Sequence, residues 1–207
     1  MPRIRLLILL LILAVVAIAS LGVGSASIPM EEIFFTLIGE EYSSVHKMIV
    51  VDIRLPRMFL AILVGAGVAT SGAAIQGLFR NPLADPALIG VSGGAALFAA
   101  TYLVIGAELG IASAGIAASA FVGGLLATWL VLEVGRRGGT ISSMLLAGIA
   151  INAVTLSGGG ILTYLSTDVE LRSVAFWALG SLNGADWHSV VIATSVLPVI
   201  AIFLIRG

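Results

Sequence analysis

Apolar residues run in long blocks along this chain, at about 4–23, 57–77, 87–105, 109–134, 141–166 and 189–205, with short polar stretches between them. Each block is near or above the ~20 residues an α-helix needs to cross the hydrocarbon core of a bilayer. The pattern predicts an all-α integral membrane protein, a polytopic bundle of about six spans in a single domain over residues 1–207. The third and sixth blocks are the shortest. Residues 24–55 are polar, carry Glu31, Glu32, Glu40 and Glu41, and hold the pattern of a short amphipathic helix around Met30–Ile38. The first block also has the layout of a secretory signal peptide, with Ser25-Ala26-Ser27 as a small-residue cleavage site. Its length favours an uncleaved helix. Neither a repeat period nor a low-complexity segment interrupts the blocks.

The stretch Arg54–Ala95 organises the rest. Small residues recur every four positions at Ala61, Gly65, Ala69, Ala73 and Gly77. Side chains at that spacing share one helix face and form a groove against which another helix can pack closely in lipid. A second stripe, Gly115, Ser119, Gly123 and Ala127, repeats the device. At the ends, Pro56 suits a first helical position, where its missing N–H is not needed. Asp85-Pro86 has the form of a cap followed by a helix start, and Asn81-Pro82 repeats that form four residues earlier, so a short helical turn is expected between two spans.

Composition agrees with a membrane environment. The chain is 59% hydrophobic and 10% charged, against about 25% charged in soluble domains, and its mean hydropathy is +1.17. There is no cysteine, which excludes disulfides and thiolate chemistry. No G-x-x-x-x-G-K-[ST], no H-E-x-x-H and no carboxylate pair within a span occurs. The chain is not expected to be an enzyme or to carry a cofactor or resident metal, and any ATP hydrolysis belongs to a partner.

With the N-terminus inside and six crossings, Arg3, Arg5, Arg80, Arg136, Arg137 and Arg206 fall inside, while Lys47, Arg54, Arg57 and Arg172 fall outside. This modest excess follows the positive-inside tendency. The acids divide more sharply, with Asp85 and Glu133 inside and the other nine outside. Trp177 and Trp187 fall near the outer boundary and Trp129 toward the inner end of its span, where indoles favour the interface. Arg54 and Arg57 are the misfits. They either anchor a helix end by snorkelling or recognise acidic groups on a partner. The fifth block is the polar one. Asn152, Thr155, Ser157 and Thr163 either bond across helices or line a path. Gly158-Gly159-Gly160 suits a bend or a close contact. His46 and His188 read as interfacial histidines rather than ligands.

Three blocks in order, RLPR from Arg54, SGAAIQGLFRNPLADPALIGVSGGAA from Ser71 and FWALGSLNGADW from Phe176, resemble the FecCD-type permeases. These are the membrane subunits of ABC importers for iron–siderophore complexes, haem and vitamin B12. The resemblance covers essentially the whole chain but only the first part of the family pattern, so an N-terminal portion of a ten-helix permease of the cytoplasmic (inner) membrane is expected. It implies a homodimer, separate ATPase subunits and an extracytoplasmic substrate-binding protein whose glutamates meet Arg54 and Arg57. It implies a pathway-lining role for Asn152, Thr155, Ser157, Gly159 and Thr163, and a structural role for Asn81, Pro82, Asp85 and Pro86. Residues 168–187 read as a short helix across the outer mouth. LRSVAFWALGSLNGADW with GLFRNPLADPALIGV looks most like the haem-importing branch; siderophore and cobalamin permeases are alternatives, as is a truncated membrane scaffold that does not transport. In the family, the stretch after the sixth helix receives the ATPase, and the sequence ends before it at Arg206-Gly207. No nucleic-acid partner is implied.

Overall fold

The computed structural model describes residues 2–39, 43–108 and 115–206. Among these residues the chain is 85% helical with no strand. In order it forms α1 (Pro2–Gly22), α2 (Met30–Leu37), α3 (Ser44–Met48), a π-helical turn (Ile49–Arg54), α4 (Leu55–Phe79), a 3-10 turn (Pro86–Ile89), α5 (Val91–Glu108), α6 (Gly115–Gly138), α7 (Ile141–Leu165), α8 (Asp168–Leu179) and α9 (Trp187–Arg206). The start of the predicted 109–134 block lies outside the described residues.

Among the described residues, four stretches are long and apolar enough to cross a membrane: Arg3–Gly22, Ser44–Phe79, Gly115–Gly138 and Ile141–Leu165. Two further apolar helices are shorter, Val91–Gly106 and Trp187–Pro198; these are the third and sixth blocks. Large apolar side chains stay exposed along the long helices, such as Leu7, Leu11 and Val15 of α1 and Leu146, Val154 and Ile161 of α7. Backbone groups satisfied within each helix and apolar side chains facing outward are what lipid demands. The fold is a helical membrane bundle.

The predicted start at Pro56 is corrected. Helix runs from Ser44 without a break to Phe79, and Pro56 sits in its interior, fully buried. The π-helical turn just before it explains how. The N–H of Leu55 reaches back five residues to Val50, so the backbone is already widened where proline would clash with the carbonyl four residues earlier. The predicted start at Pro86 is corrected likewise. Asp85 caps through its carboxylate to the N–H of Ala87 at 2.7 Å, but Pro86 opens only the 3-10 turn. Gly90, at φ +76, then redirects the chain into α5, a left-handed backbone that glycine adopts without strain. Asn81 caps no helix; its side-chain oxygen accepts from the N–H of Leu83 at 2.9 Å, closing an Asx turn. The segment 80–90 is two side-chain-closed turns in series.

Contacts divide the chain into two compact units, Met1–Thr70 with Leu182–Gly207, and Ser71–Ser181. The core of the first joins Leu21, Ile28, Ile33 and Val50, with Leu55 and Met58 against them. The core of the second joins Phe79, Ala84, Ile89, Val131 and Ala147. The α4 stripe departs from expectation: Ala61, Gly65, Ala69, Ala73 and Gly77 are all exposed, and a Cβ on Gly65 or Gly77 would meet nothing within 4 Å. No helix among the described residues fills that groove. The α6 stripe is filled. A Cβ on Gly123 would overlap the Gly94 carbonyl and Phe98, Ala127 is 4% exposed, and Ser119 donates to the Phe98 carbonyl at 2.8 Å.

Candidate functional site: an arginine clamp and a polar helix face

The first site lies in the unit Met1–Thr70 with Leu182–Gly207, around the π-helical turn. Arg54 is 8% exposed. Its guanidinium donates from Nη1 to the Leu21 carbonyl and from Nη2 to the Ala26 carbonyl. Leu21 is in the last turn of α1, where carbonyls lack helical partners and the helix dipole favours a cation. Arg57, one turn further on and half-buried, donates from Nε to the Leu182 carbonyl at 3.2 Å and from Nη2 to the Asn183 carbonyl at 3.5 Å. The segment it holds is tied back by Trp187, whose Nε1 donates to the Val51 carbonyl at 3.0 Å and whose ring lies 5.9 Å from that of Phe59. Among the described residues no carboxylate pairs with Arg54 or Arg57. Beside them opens a cavity of about 610 Å³ lined by Gly24, Ser25, Ala26, Arg54, Arg57 and Leu182 among others.

These positions change the picture of the two arginines. Sequence brackets them as one pair on a free face; the structure separates them. Arg54 is a buried clamp on α1 and the loop after it. Arg57 faces the cavity on weaker bonds. Their carbonyl partners at Leu21, Ala26, Leu182 and Asn183 leave no periodic trace in the sequence, and only the RLPR spacing pointed to the place. His46 Nδ1 lies 2.5 Å from Glu32 Oε2 and joins α3 to α2, a use that a lone histidine does not announce.

The second site lies in the unit Ser71–Ser181. Asn152 Nδ2 donates to the Ala87 carbonyl at 2.8 Å, and Thr155 donates to the Asn152 carbonyl at 3.0 Å. A Cβ on Gly93 would overlap both side chains. Asn152 and Thr155 therefore hold the 3-10 turn and the start of α5 against α7. Close by, a Cβ on Gly148 would overlap the Leu88 carbonyl oxygen, so that turn lies directly on the α7 backbone. Asn152, Thr155, Gly159 and Thr163 share one helix face at about 100° per residue. Ser157, which donates to the Ala153 carbonyl at 2.8 Å, lies on another. Thr163 is exposed and Gly159 half-buried, and a Cβ on Gly159 would meet nothing within 4 Å. The three glycines make no break: α7 is continuous from Ile141 to Leu165, and of the three only on Gly158 would a Cβ meet a neighbour, the Leu97 side chain at 3.0 Å. Among the described residues no cluster of acids and histidines could hold a metal ion.

The FecCD transport family profile matches residues 10–206. This chain belongs to the FecCD transport family. The hemin transport system permease protein HmuU of Yersinia pestis is 40% identical over 192 residues, 90% of this chain and 58% of that protein. The vitamin B12 import system permease protein BtuC of Klebsiella pneumoniae is 38% identical over 164 residues, 78% of this chain and 49% of that protein. A solved structure of a metal-chelate type ABC transporter in an inward-facing conformation superposes with TM-score 0.76 at 30% identity, covering 92% of this chain and 57% of its own. The chain thus spans about half the length of the curated relatives it matches.

Proposed function

We infer that this chain forms the membrane path of an ABC importer permease that moves an iron-containing chelate, haem first, across the cytoplasmic membrane. The single observation behind the haem reading is the HmuU match, which extends over 90% of the chain against 78% for BtuC. The BtuC identity supports cobalamin as the second reading. ATP hydrolysis is the work of separate ATPase subunits, and the permease acts as a homodimer. An extracytoplasmic binding protein delivers the chelate and presents carboxylates to Arg57, whose position Arg54 fixes from below. Along α7, Gly159 and Thr163 contact the passing chelate, while Asn152 and Thr155 brace them.

The orientation places the N-terminus in the cytoplasm. A cysteine at Glu40 then reacts with a membrane-impermeant maleimide in intact cells and one at Gly138 does not; the reverse labelling removes the docking role of Arg57. Substrate is tested in cells producing the permease with its ATPase and binding protein, offered labelled haemin, a ferric hydroxamate or cyanocobalamin. Preferential haemin accumulation is expected. Accumulation of cobalamin alone overturns the haem reading.

A further inference from the structure

The C-terminal part of α1 and the first half of α4 carry two cavities that run into one another. One is an apolar groove of about 440 Å³, between Leu13 and Val16 of α1 and Ile62, Gly65 and Ala66 of α4. The other is the cavity of about 610 Å³ beside the arginines. Ser20, Met58 and Ala61 line both, so the two make one continuous space. The groove is apolar: its one hydroxyl, Ser20, donates to the Ala17 carbonyl at 2.6 Å. From Met58 to Ala66 the groove runs about 12 Å at the helical rise, most of the depth of one ~15 Å leaflet. The other cavity is charged. Among the described residues its ionised lining is Arg54 and Arg57, both positive. Arg54 spends its terminal nitrogens on carbonyls, whereas Nη1 of Arg57 donates to no described residue.

We propose that this space is a binding site for one anionic phospholipid, its acyl chain in the groove and its phosphate on Arg57. A chain hung from a phosphate matches both halves at once, an apolar thread nearly one leaflet deep and an anion at its head. Selectivity lies at the head. In a bilayer whatever enters the groove comes from hydrocarbon, so apolar burial contributes little and the groove acts by packing. The phosphate accepts charge-assisted bonds from the guanidinium. Nη1 is the nitrogen it meets, so the bonds to the Leu182 and Asn183 carbonyls stay in place. In phosphatidylcholine the choline cancels the phosphate charge; in phosphatidylglycerol nothing does. Gly65 keeps the groove open, since a Cβ there would meet nothing within 4 Å. The site goes beyond the transport reading and needs neither the binding protein nor a chelate.

The chain has no cysteine, so a single introduced one reports from a single place. Ala69→Cys lies on the same face of α4, one turn past Gly65 and outside the groove lining. It is labelled with bimane, and the protein is placed in phosphatidylcholine nanodiscs. A nitroxide midway along one acyl chain is supplied on either phosphatidylglycerol or phosphatidylcholine. Nitroxide phosphatidylglycerol should quench the label at about fivefold lower mole fraction, the scale of one basic residue facing an anionic lipid. Arg57→Gln should bring it to the phosphatidylcholine level. So should Gly65→Leu, whose Cβ has open space and whose side chain fills the groove. Equal quenching by the two lipids overturns the site, as does a preference that survives either substitution. Loss of the preference to millimolar glycerol phosphate assigns Arg57 to free phosphate and overturns a lipid occupant. Haemin uptake is read separately, so its failure with the quenching intact removes the transport reading alone.

Discussion

The two units of this chain are held together by different means. In Ser71–Ser181, backbones touch. Gly94 meets Gly123, Gly148 meets the Leu88 carbonyl and Gly135 meets Met144, each with no space for a Cβ. In Met1–Thr70 with Leu182–Gly207, a Cβ on Gly65 would meet nothing and one on Gly67 only the tip of the Leu197 side chain, and the ties are long donors laid on carbonyls: Arg54 on Leu21 and Ala26, Arg57 on Leu182 and Asn183, Trp187 on Val51. The first means is rigid, because helix backbones in van der Waals contact cannot yield without moving a whole helix. The second can be undone one bond at a time. One chain thus carries a fixed region and an adjustable one, each written in a different class of residue.

The sharpest way to break this contrast is Gly148→Ala. The added methyl overlaps a backbone carbonyl rather than a flexible side chain, so about 3 kcal/mol of destabilisation or more is expected from overpacking, read as a fall in the thermal unfolding midpoint in detergent. The matched substitution Gly65→Ala adds its methyl to open space and should stabilise α4 by up to about 1 kcal/mol through helix propensity. Equal effects at the two positions would erase the distinction between the regions.

Arg54→Ala comes next. It removes a buried cation and leaves the Leu21 and Ala26 carbonyls without that donor, so about 2 kcal/mol is expected, the range for hydrogen bonds to charged groups. Arg57→Ala, on longer and more exposed bonds, should cost well under half as much. The two can be compared in one denaturant titration. If Arg57→Ala is as costly as Arg54→Ala, the tie at Arg57 is as fixed as the one at Arg54. Asn152→Ala tests the fixed region by its polar brace: losing the bond to Ala87 should cost about 0.6 kcal/mol and at most about 1.7, the average and the maximum for polar bonds between membrane helices.

These contrasts also show what could be read from the chain beforehand. Long apolar blocks declare helices because bilayer thickness sets their length, and the amphipathic run at Met30 gave α2 to within a residue. The α6 stripe was legible since its partner, α5, is the neighbouring block. Pro56 misled because a π-helical turn has no sequence signature: a residue favoured at the first position of a helix is tolerated inside this one. The arginines were found by motif, yet their partners were not, since a backbone carbonyl is offered by every residue and only tertiary placement says which one is used. The α4 stripe was read as a close-packing surface, yet its residues are exposed, because small residues at helical spacing permit close approach without supplying a partner.

The smallest effect sharpens the adjustable region at its own boundary, the start of α9. Asp186 precedes that helix, and its Oδ1 accepts from the Ser189 hydroxyl at 2.6 Å and the Ser189 N–H at 2.8 Å. The Ser189 hydroxyl above all, then its N–H, holds the Asp186 carboxyl below its ordinary value of 3.8. A carboxyl whose folded value is lowered stabilises the fold above the ordinary value, and that contribution disappears as pH falls through the lowered one. The cap is therefore at full strength near neutral pH and fades only below about pH 3.8. Asp186 is fully exposed, so the change in stability will be slight, and its titration is the better readout. Ser189→Ala deletes the larger of the two donors and should move the carboxyl carbon NMR titration of Asp186 upward, toward the ordinary value. If that curve does not move, the Ser189 N–H sets the cap by itself, and α9 starts on backbone geometry alone.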